Sequence, residues 1–252
     1  AGLPLAERVR FLRFGWRMMR TKTHADPDDI ASVPEADAQT LAAYVRQNLG
    51  PETLSRLIEP VFRATRGWQA DQVSAVFLAA TLPHLIGRRA VKVPRSGMSA
   101  LPKALARDLD ITCAAAVRSI KEQPNGVTVA LEDGQVLTAD FVVLAVQGNR
   151  TARLVTDLSR EDQAFLGQVR YAPYGALHLQ MRGDLAPDMR FFAQGTGGPI
   201  ATFEAIPRNP LTGSSAQIYA QLSPEAAERV QKTGATDRIA DVVMDKLRDL
   251  LP

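Results

Sequence analysis

Apolar positions along the chain switch between helical and strand spacing, and each switch marks a change of element. Over residues 3–22, Leu5, Val9, Leu12, Trp16 and Met19 recur at helical spacing, with Arg8, Arg10, Arg13, Arg17, Arg20 and Lys22 filling much of the remainder. The spacing predicts one amphipathic helix there. A polar, proline-bearing loop follows, and Asp37 is placed to cap a helix running to about Asn48, with Gly50 as its stop. Pro51 suits a first helical position. Leu54, Leu57, Ile58, Val61 and Phe62 then make an apolar face, which Pro60 should kink or end. Asp71 is the candidate cap of a further helix with Pro83 near its end. Residues 1–92 therefore read as helical.

Beyond residue 93 the period shortens. A short helix over 100–108 precedes a strand over 112–121, a turn at Pro124-Asn125-Gly126, and an alternating strand with Val127, Val129 and Leu131 on one face. Asp133-Gly134 predicts a tight hairpin turn, since glycine accepts positive φ. The run Phe141–Val146 is apolar throughout and predicts a strand buried on both faces. Residues 151–168 read as helical. Three or four strands follow, in "GALHLQMR", "MRFFAQ", "PIATFEAI" and "AQIYAQL". Ser223-Pro224-Glu225 opens a helix, and a last one carries Ile239, Val243, Leu247 and Leu250 as its stripe. The fold class is α+β: a helical region (1–92), a turn–helix–strand–hairpin segment (93–162), and a sheet with helices (163–252), the first and third sharing one domain.

Composition narrows the function classes. An apolar fraction of 46% in 252 residues is enough for a core without disulfides, and Cys113 has no second cysteine to pair with. Cys113 reads as a small buried hydrophobe in its strand. A net charge of +3 is too balanced for a nucleic-acid binder. With three scattered histidines and no acidic cluster, no metal site is expected. No apolar run reaches the roughly 20 residues that span a bilayer, and a cytoplasmic location is expected. The ends, "AGLPLAERVRF" and "RDLLP", read as cuts in a longer chain.

There is no GxGxxG, Walker A, HExxH or GxSxG pattern; Gly195-Thr196-Gly197-Gly198 lies between strands and reads as a loop. Residues 94–120, "PRSGMSALPKALARDLDITCAAAVRSI", carry a more specific signal. Continued by "GVTVALEDGQVLTADFVVLAV", they resemble the interior of the flavin-dependent amine oxidase superfamily, nearest its protoporphyrinogen oxidase-like and phytoene desaturase-like branches. The matching positions are Pro94, Gly97, Met98, Leu101, Pro102, Ala104 and Leu105, then Val117, Ile120, Ala139, Asp140, Val142, Val143 and Ala145. Glu59-Pro60, Gly67-Trp68 and the Asp71–Ala75 stretch extend the likeness over about residues 40–160. Ser96 and Gln147 depart from the pattern, standing where the family has Gly and often Pro. The family's flavin phosphate loop and its flavin-closing segment have no counterpart here.

The resemblance implies an FAD-dependent oxidoreductase acting on a hydrophobic small molecule by hydride transfer, represented by its middle and its substrate-binding part. It implies that Val117 meets the adenine edge of FAD through backbone N–H and C=O, with Gly97 at the cofactor turn. It implies no catalytic residue. The 252 residues alone are expected to hold FAD weakly or not at all and to be inactive. Porphyrinogen, amine and polyene substrates stay open, with a slight preference for the first. Candidate substrate contacts are Tyr171, Tyr174, His178, Gln180, Phe192 and Phe203, each of which has sheet packing as its ordinary role. The alternative is a non-catalytic ligand-binding or interaction module on the same fold. The arginine-rich helix raises peripheral contact with a membrane, an anionic apolar molecule or a second copy of the chain. The favoured reading packs one face of that helix into its own domain and leaves its arginines solvated.

Overall fold

The computed structural model describes residues 2–21, 24–26, 28–85, 94, 96–208, 213 and 215–251. The chain divides into two compact units: Ala1–Lys92 with Ala172–Pro252, and Val93–Tyr171. The fold is mixed α+β. The middle unit runs nine residues past the expected boundary at 162, because α8 (Arg160–Gln168) packs on α7 (Gly148–Leu154).

In the first unit, α1 (Leu5–Thr21), α2 (Leu41–Asn48), α3 (Pro51–Thr53), a π-helical turn (Leu54–Ile58), α4 (Glu59–Arg66) and α5 (Val76–Leu85) make the helical part. Helix α1 buries Phe14 and Met18 against Leu41, Val45, Leu49 and Leu78. The stripe Leu5, Val9, Leu12, Trp16 and Met19 lies on the other side and is exposed. The helix was expected to pack one face into its own domain, and it does, though not by its longest apolar stripe. It packs instead where Phe14 and Met18 flank Glu7, whose buried carboxylate accepts hydrogen bonds from Glu52 N–H (3.3 Å), Thr53 N–H (2.7 Å) and Thr53 Oγ1 (2.7 Å). Glu7 thus caps α3 from a distant helix, satisfying N–H groups that a helix start leaves unpaired.

Pro60 stands in the first turn of α4, directly after the π-helical turn that interrupts the regular α-helical bonding. The π turn immediately before it continues into α4, and a wider turn removes the need for the N–H that proline lacks. The expected caps shift as well. Thr40 accepts from Ala43 N–H at α2, and Ser74 Oγ accepts from Val76 N–H at α5. Asp37 instead accepts from Ser74 Oγ at 2.7 Å.

The same unit contains an antiparallel sheet ordered β4-β7-β6-β5: β4 (Ala176–Met181), β5 (Asp188–Phe191), β6 (Ile200–Ile206) and β7 (Ala216–Leu222). One face packs on α9 (Pro224–Thr233) and α10 (Thr236–Leu250), around Ile200, Phe203, Ile218, Leu222, Val243 and Leu247. Arg63 of α4 is buried and makes a bidentate pair with Glu225 at the start of α9, at 2.9 and 2.7 Å.

The middle unit holds α6 (Ala100–Leu105), the meander β1 (Val117–Gln123), β2 (Gly126–Leu131) and β3 (Val136–Ala139), then α7 and α8. Gly134 adopts φ +92° in the expected hairpin turn. Three expectations fail here. The strand begins at Val117, not 112, and Cys113 lies exposed in the irregular segment before it. Phe141–Val146 is not a strand, and Phe141 and Val143 are 90% and 92% exposed. A strand needs a neighbour to take its N–H and C=O groups, and this run pairs with no strand among the described residues.

Candidate functional site

Strand pairing assembles a polar row on the sheet face opposite α9 and α10. His178 of β4 pairs with Tyr219 of β7, which pairs with Glu204 of β6, which pairs with Met189 of β5. Alternation places Gln180 and Gln217 in the next row on the same face. In the row on the other side, Gln221 lies between Ala176 and Thr202, and Thr202 pairs with Phe191. Helix α4 packs against β5 and β6, and Gln221 Nε2 donates to the Arg63 carbonyl at 3.4 Å, so α4 roofs part of this face.

The His178 and Tyr219 rings meet edge-on with centroids 4.8 Å apart. Tyr174, just before β4, sets its hydroxyl 2.7 Å from that of Tyr219 and donates to Gln221 Oε1 at 2.7 Å. A phenol has one hydrogen to give. With that of Tyr174 committed to Gln221, Tyr219 must be the donor to Tyr174. Donation therefore runs from Tyr219 through Tyr174 and Gln221 to the Arg63 carbonyl, which accepts. Burial pushes the Tyr219 pKa up, and the hydrogen bond to Tyr174 and the nearby Glu204 carboxylate push it further. Tyr219 is held as a neutral donor. Glu204, half-buried, is the row's only carboxylate. Such a surface can hydrogen-bond or pair with one polar or cationic group while Met189 and Phe191 offer apolar contact beside it.

Of the residues singled out from sequence, Tyr174, His178 and Gln180 come together on this face. Phe203 does not: it is fully buried on the opposite face. Phe192 stacks on it at 6.2 Å and packs against the same core. The pleat explains this, since Phe203 and Glu204 are neighbours and must point to opposite faces. Tyr171 lies in the other unit, where its hydroxyl accepts from Gly148 N–H at 2.8 Å. Tyr219, Glu204 and Gln221 were missed. The alternation in "AQIYAQL" and "PIATFEAI" singles out their face, but the order β4-β7-β6 that sets them beside His178 is not written in chain order.

In the middle unit, Val117 lines a cleft of about 600 Å³ with Ala115, Val142, Leu144, Arg150 and Arg153. Ala116 C=O accepts from Glu132 N–H at 2.9 Å, towards β2. Backbone groups alternate sides along a strand, so those of Val117 turn to the free edge of β1. Further along, that edge is already in use: Ile120 C=O accepts from Thr156 N–H at 3.1 Å, and Glu122 N–H donates to Asp157 Oδ2 at 2.7 Å. An edge donor and acceptor, apolar walls and two guanidinium groups suit a flat heteroaromatic ring with an anionic arm. Gly97 sits at φ +90° in a turn closed by its N–H to Pro94 C=O (3.0 Å), and nothing lies within 4 Å of where a Cβ would be. A side chain there would be strained, and the bare backbone leaves room for a close approach. The residues present thus fit the adenine end of a dinucleotide. Among the described residues no cluster of metal-binding side chains occurs.

Comparison with known proteins finds likenesses of family and of fold. The family model described as flavin containing amine oxidoreductase matches residues 2–252. Among curated proteins, none matches. Putrescine oxidase with bound putrescine aligns at TM-score 0.75 and 16% identity, covering 100% of this chain and 60% of that one. Cyclohexylamine oxidase from Brevibacterium oxydans IH-35A aligns at TM-score 0.67 and 14% identity, over 99% and 57%. A putative protoporphyrinogen oxidase from Exiguobacterium sp. 255-15 aligns at TM-score 0.59 and 17% identity, over 83% and 51%. At these identities the likeness is one of fold, and the chain spans about three fifths, or less, of the length of each.

Proposed function

This chain belongs to the flavin containing amine oxidoreductase family, and on that premise we propose that its protein is an FAD-dependent oxidoreductase acting on a hydrophobic small molecule that carries one polar or cationic group. The family is one of flavin-dependent oxidoreductases, and FAD is the cofactor of its full-length members. The observation that carries the reading is the family match across residues 2–252. FAD, when bound, supplies the two-electron oxidising chemistry, and the protein supplies binding, orientation and electrostatics.

In this reading, the backbone of Val117 and the turn at Gly97 hold the adenine end, and Arg150 and Arg153 favour its anionic arm. The sheet face of the first unit bears the substrate. Glu204 holds the polar or cationic group, with Tyr219 as a fixed neutral donor beside it. His178 and Gln180 border the position, and Met189 and Phe191 take the apolar part. Nothing in the row requires an ionised tyrosine.

The test is steady-state oxidation of a panel of amines, porphyrinogens and polyenes by the full-length protein, with E204Q as the variant. Loss of one charge-assisted contact should lower kcat/KM by about 10-fold or more for the true substrate. An unchanged kcat/KM for every substrate would remove Glu204 from the site. A full-length protein with no flavin would remove the oxidoreductase reading and leave the ligand-binding one.

A further inference from the structure

The face of α1 that the fold leaves uncovered has the makeup of a membrane-surface helix. On a helix turning about 100° per residue, Leu12, Met19, Leu5, Trp16 and Val9 fall in one continuous arc, opposite Glu7, Phe14 and Met18. The arc is open: Leu5 is 77% exposed, Leu12 72%, Trp16 54% and Met19 52%. Arginines bound it on both sides, with Arg8 on one and Arg20, Arg13, Arg17 and Arg10 in turn on the other. The helix carries a single carboxylate, Glu7, and this is buried and committed to Thr53 and Glu52. Among the described residues, none of these five arginines forms an ion pair with a carboxylate. The Arg20 guanidinium lies 3.5 Å over the Trp16 ring, and Arg13, Arg17 and Arg20 line a groove of about 390 Å³ with that ring.

We propose that α1 is a peripheral anchor that lies flat on an anionic lipid bilayer, its Leu5–Leu12–Trp16–Met19 arc in the acyl boundary and its arginines on lipid phosphates. Charge complementarity selects this occupant. An anionic surface meets the arginine flanks with opposite charge, whereas a second copy docking on the same face would bring two arginine-lined faces together. A nucleic acid would leave the apolar arc in water. A helix of 17 residues is about 25 Å long, enough to lie in the interface plane. Among the described residues no helix is long and apolar enough to cross a membrane.

The experiment is co-sedimentation of the full-length protein with phosphatidylcholine vesicles containing or lacking phosphatidylglycerol. Binding should favour the anionic vesicles by about 10-fold or more and weaken as salt rises. L12Q/W16Q should lower partitioning by about 10-fold or more, because two exposed apolar side chains no longer insert. R13Q/R20Q should cut the preference for anionic vesicles by about fivefold per arginine. Both variants should keep the wild-type melting curve, since the altered side chains lie off the core. Equal partitioning of wild type and variants would overturn the proposal. So would a protein that ignores vesicles but forms a dimer that W16Q dissolves. So would Trp16 and Met19 shielded from hydroxyl-radical labelling in the vesicle-free full-length protein, which would place another part of the protein on the arc.

Discussion

Replacing Glu225 by Gln removes one half of the link between α4 and α9 and leaves Arg63 behind. The two side chains are unequal: that of Arg63 is 4% exposed and that of Glu225 43%. Both guanidinium nitrogens bond the carboxylate, at 2.9 and 2.7 Å. Stranding a fully buried charge costs about 3–5 kcal/mol. Water reaches the Glu225 side, so the cost falls to about 2 kcal/mol, which lowers Tm by about 4–8 °C. The reverse change, R63M, leaves a carboxylate that can hydrate and a similar volume in the core. It should cost less, under about 1 kcal/mol. Hydrogen bonds from Arg63 hold the Glu225 pKa below its ordinary value, against the opposing effect of burial. A depressed carboxylate stabilises the fold above its unfolded pKa, about 4.3, and that contribution is lost as pH falls through the folded value. The gap between wild type and E225Q should therefore be full near neutrality and close in acid. Thermal melts of the three proteins from neutral pH to acid check this. Equal losses for E225Q and R63M, or a gap that persists in acid, would refute the argument from unequal burial.

Glu7 behaves in the same direction. Burial opposes its charge, but hydrogen bonds from Thr53 and Glu52 and the charge of Arg10 outweigh it and lower the pKa. E7Q should thus lower Tm at neutral pH and converge with wild type in acid, read by circular dichroism. Gly50 has φ +122° with the Glu7 side chain against it, so G50A should destabilise by more than about 1 kcal/mol in a urea titration. Tyr219 should be among the last tyrosines to ionise, and Y219F should delete a high-pH phase from the ultraviolet titration of the phenols. Persistence of that phase would break the donor chain from Tyr219 to Gln221.

Much of the fold was legible because its cues are local. The four strands of the second sheet, the Asp133-Gly134 turn and the Ile239–Leu250 stripe follow from alternation, glycine φ and helical spacing. Local pattern is silent where the deciding partner lies far away in sequence or where the backbone itself departs from the regular helix. Helix α1 turns inward the face that carries Glu7, because Glu7 finds the bare N–H groups of Glu52 and Thr53. Phe141–Val146 has strand composition but pairs with no strand among the described residues. Pro60 is accommodated by a π turn that residue types do not announce. The candidate site was half legible for the same reason. Tyr174, His178 and Gln180 sit close in sequence, while Glu204 and Tyr219 join them only through the β4-β7-β6 order. Phe203 was misplaced because aromatic character does not reveal which face of a strand is core.

The central claim is a flavin oxidoreductase whose substrate lies on the His178–Tyr219–Glu204 row. The most direct measurement is the visible spectrum of the purified full-length protein, recorded anaerobically before and after adding the amine, porphyrinogen and polyene panel, for wild type and E204Q. Stoichiometric flavin absorbance is expected, bleached by one class of compound, with bleaching slowed in E204Q and the flavin content unchanged. A colourless protein, or flavin that bleaches equally fast in E204Q, would contradict it.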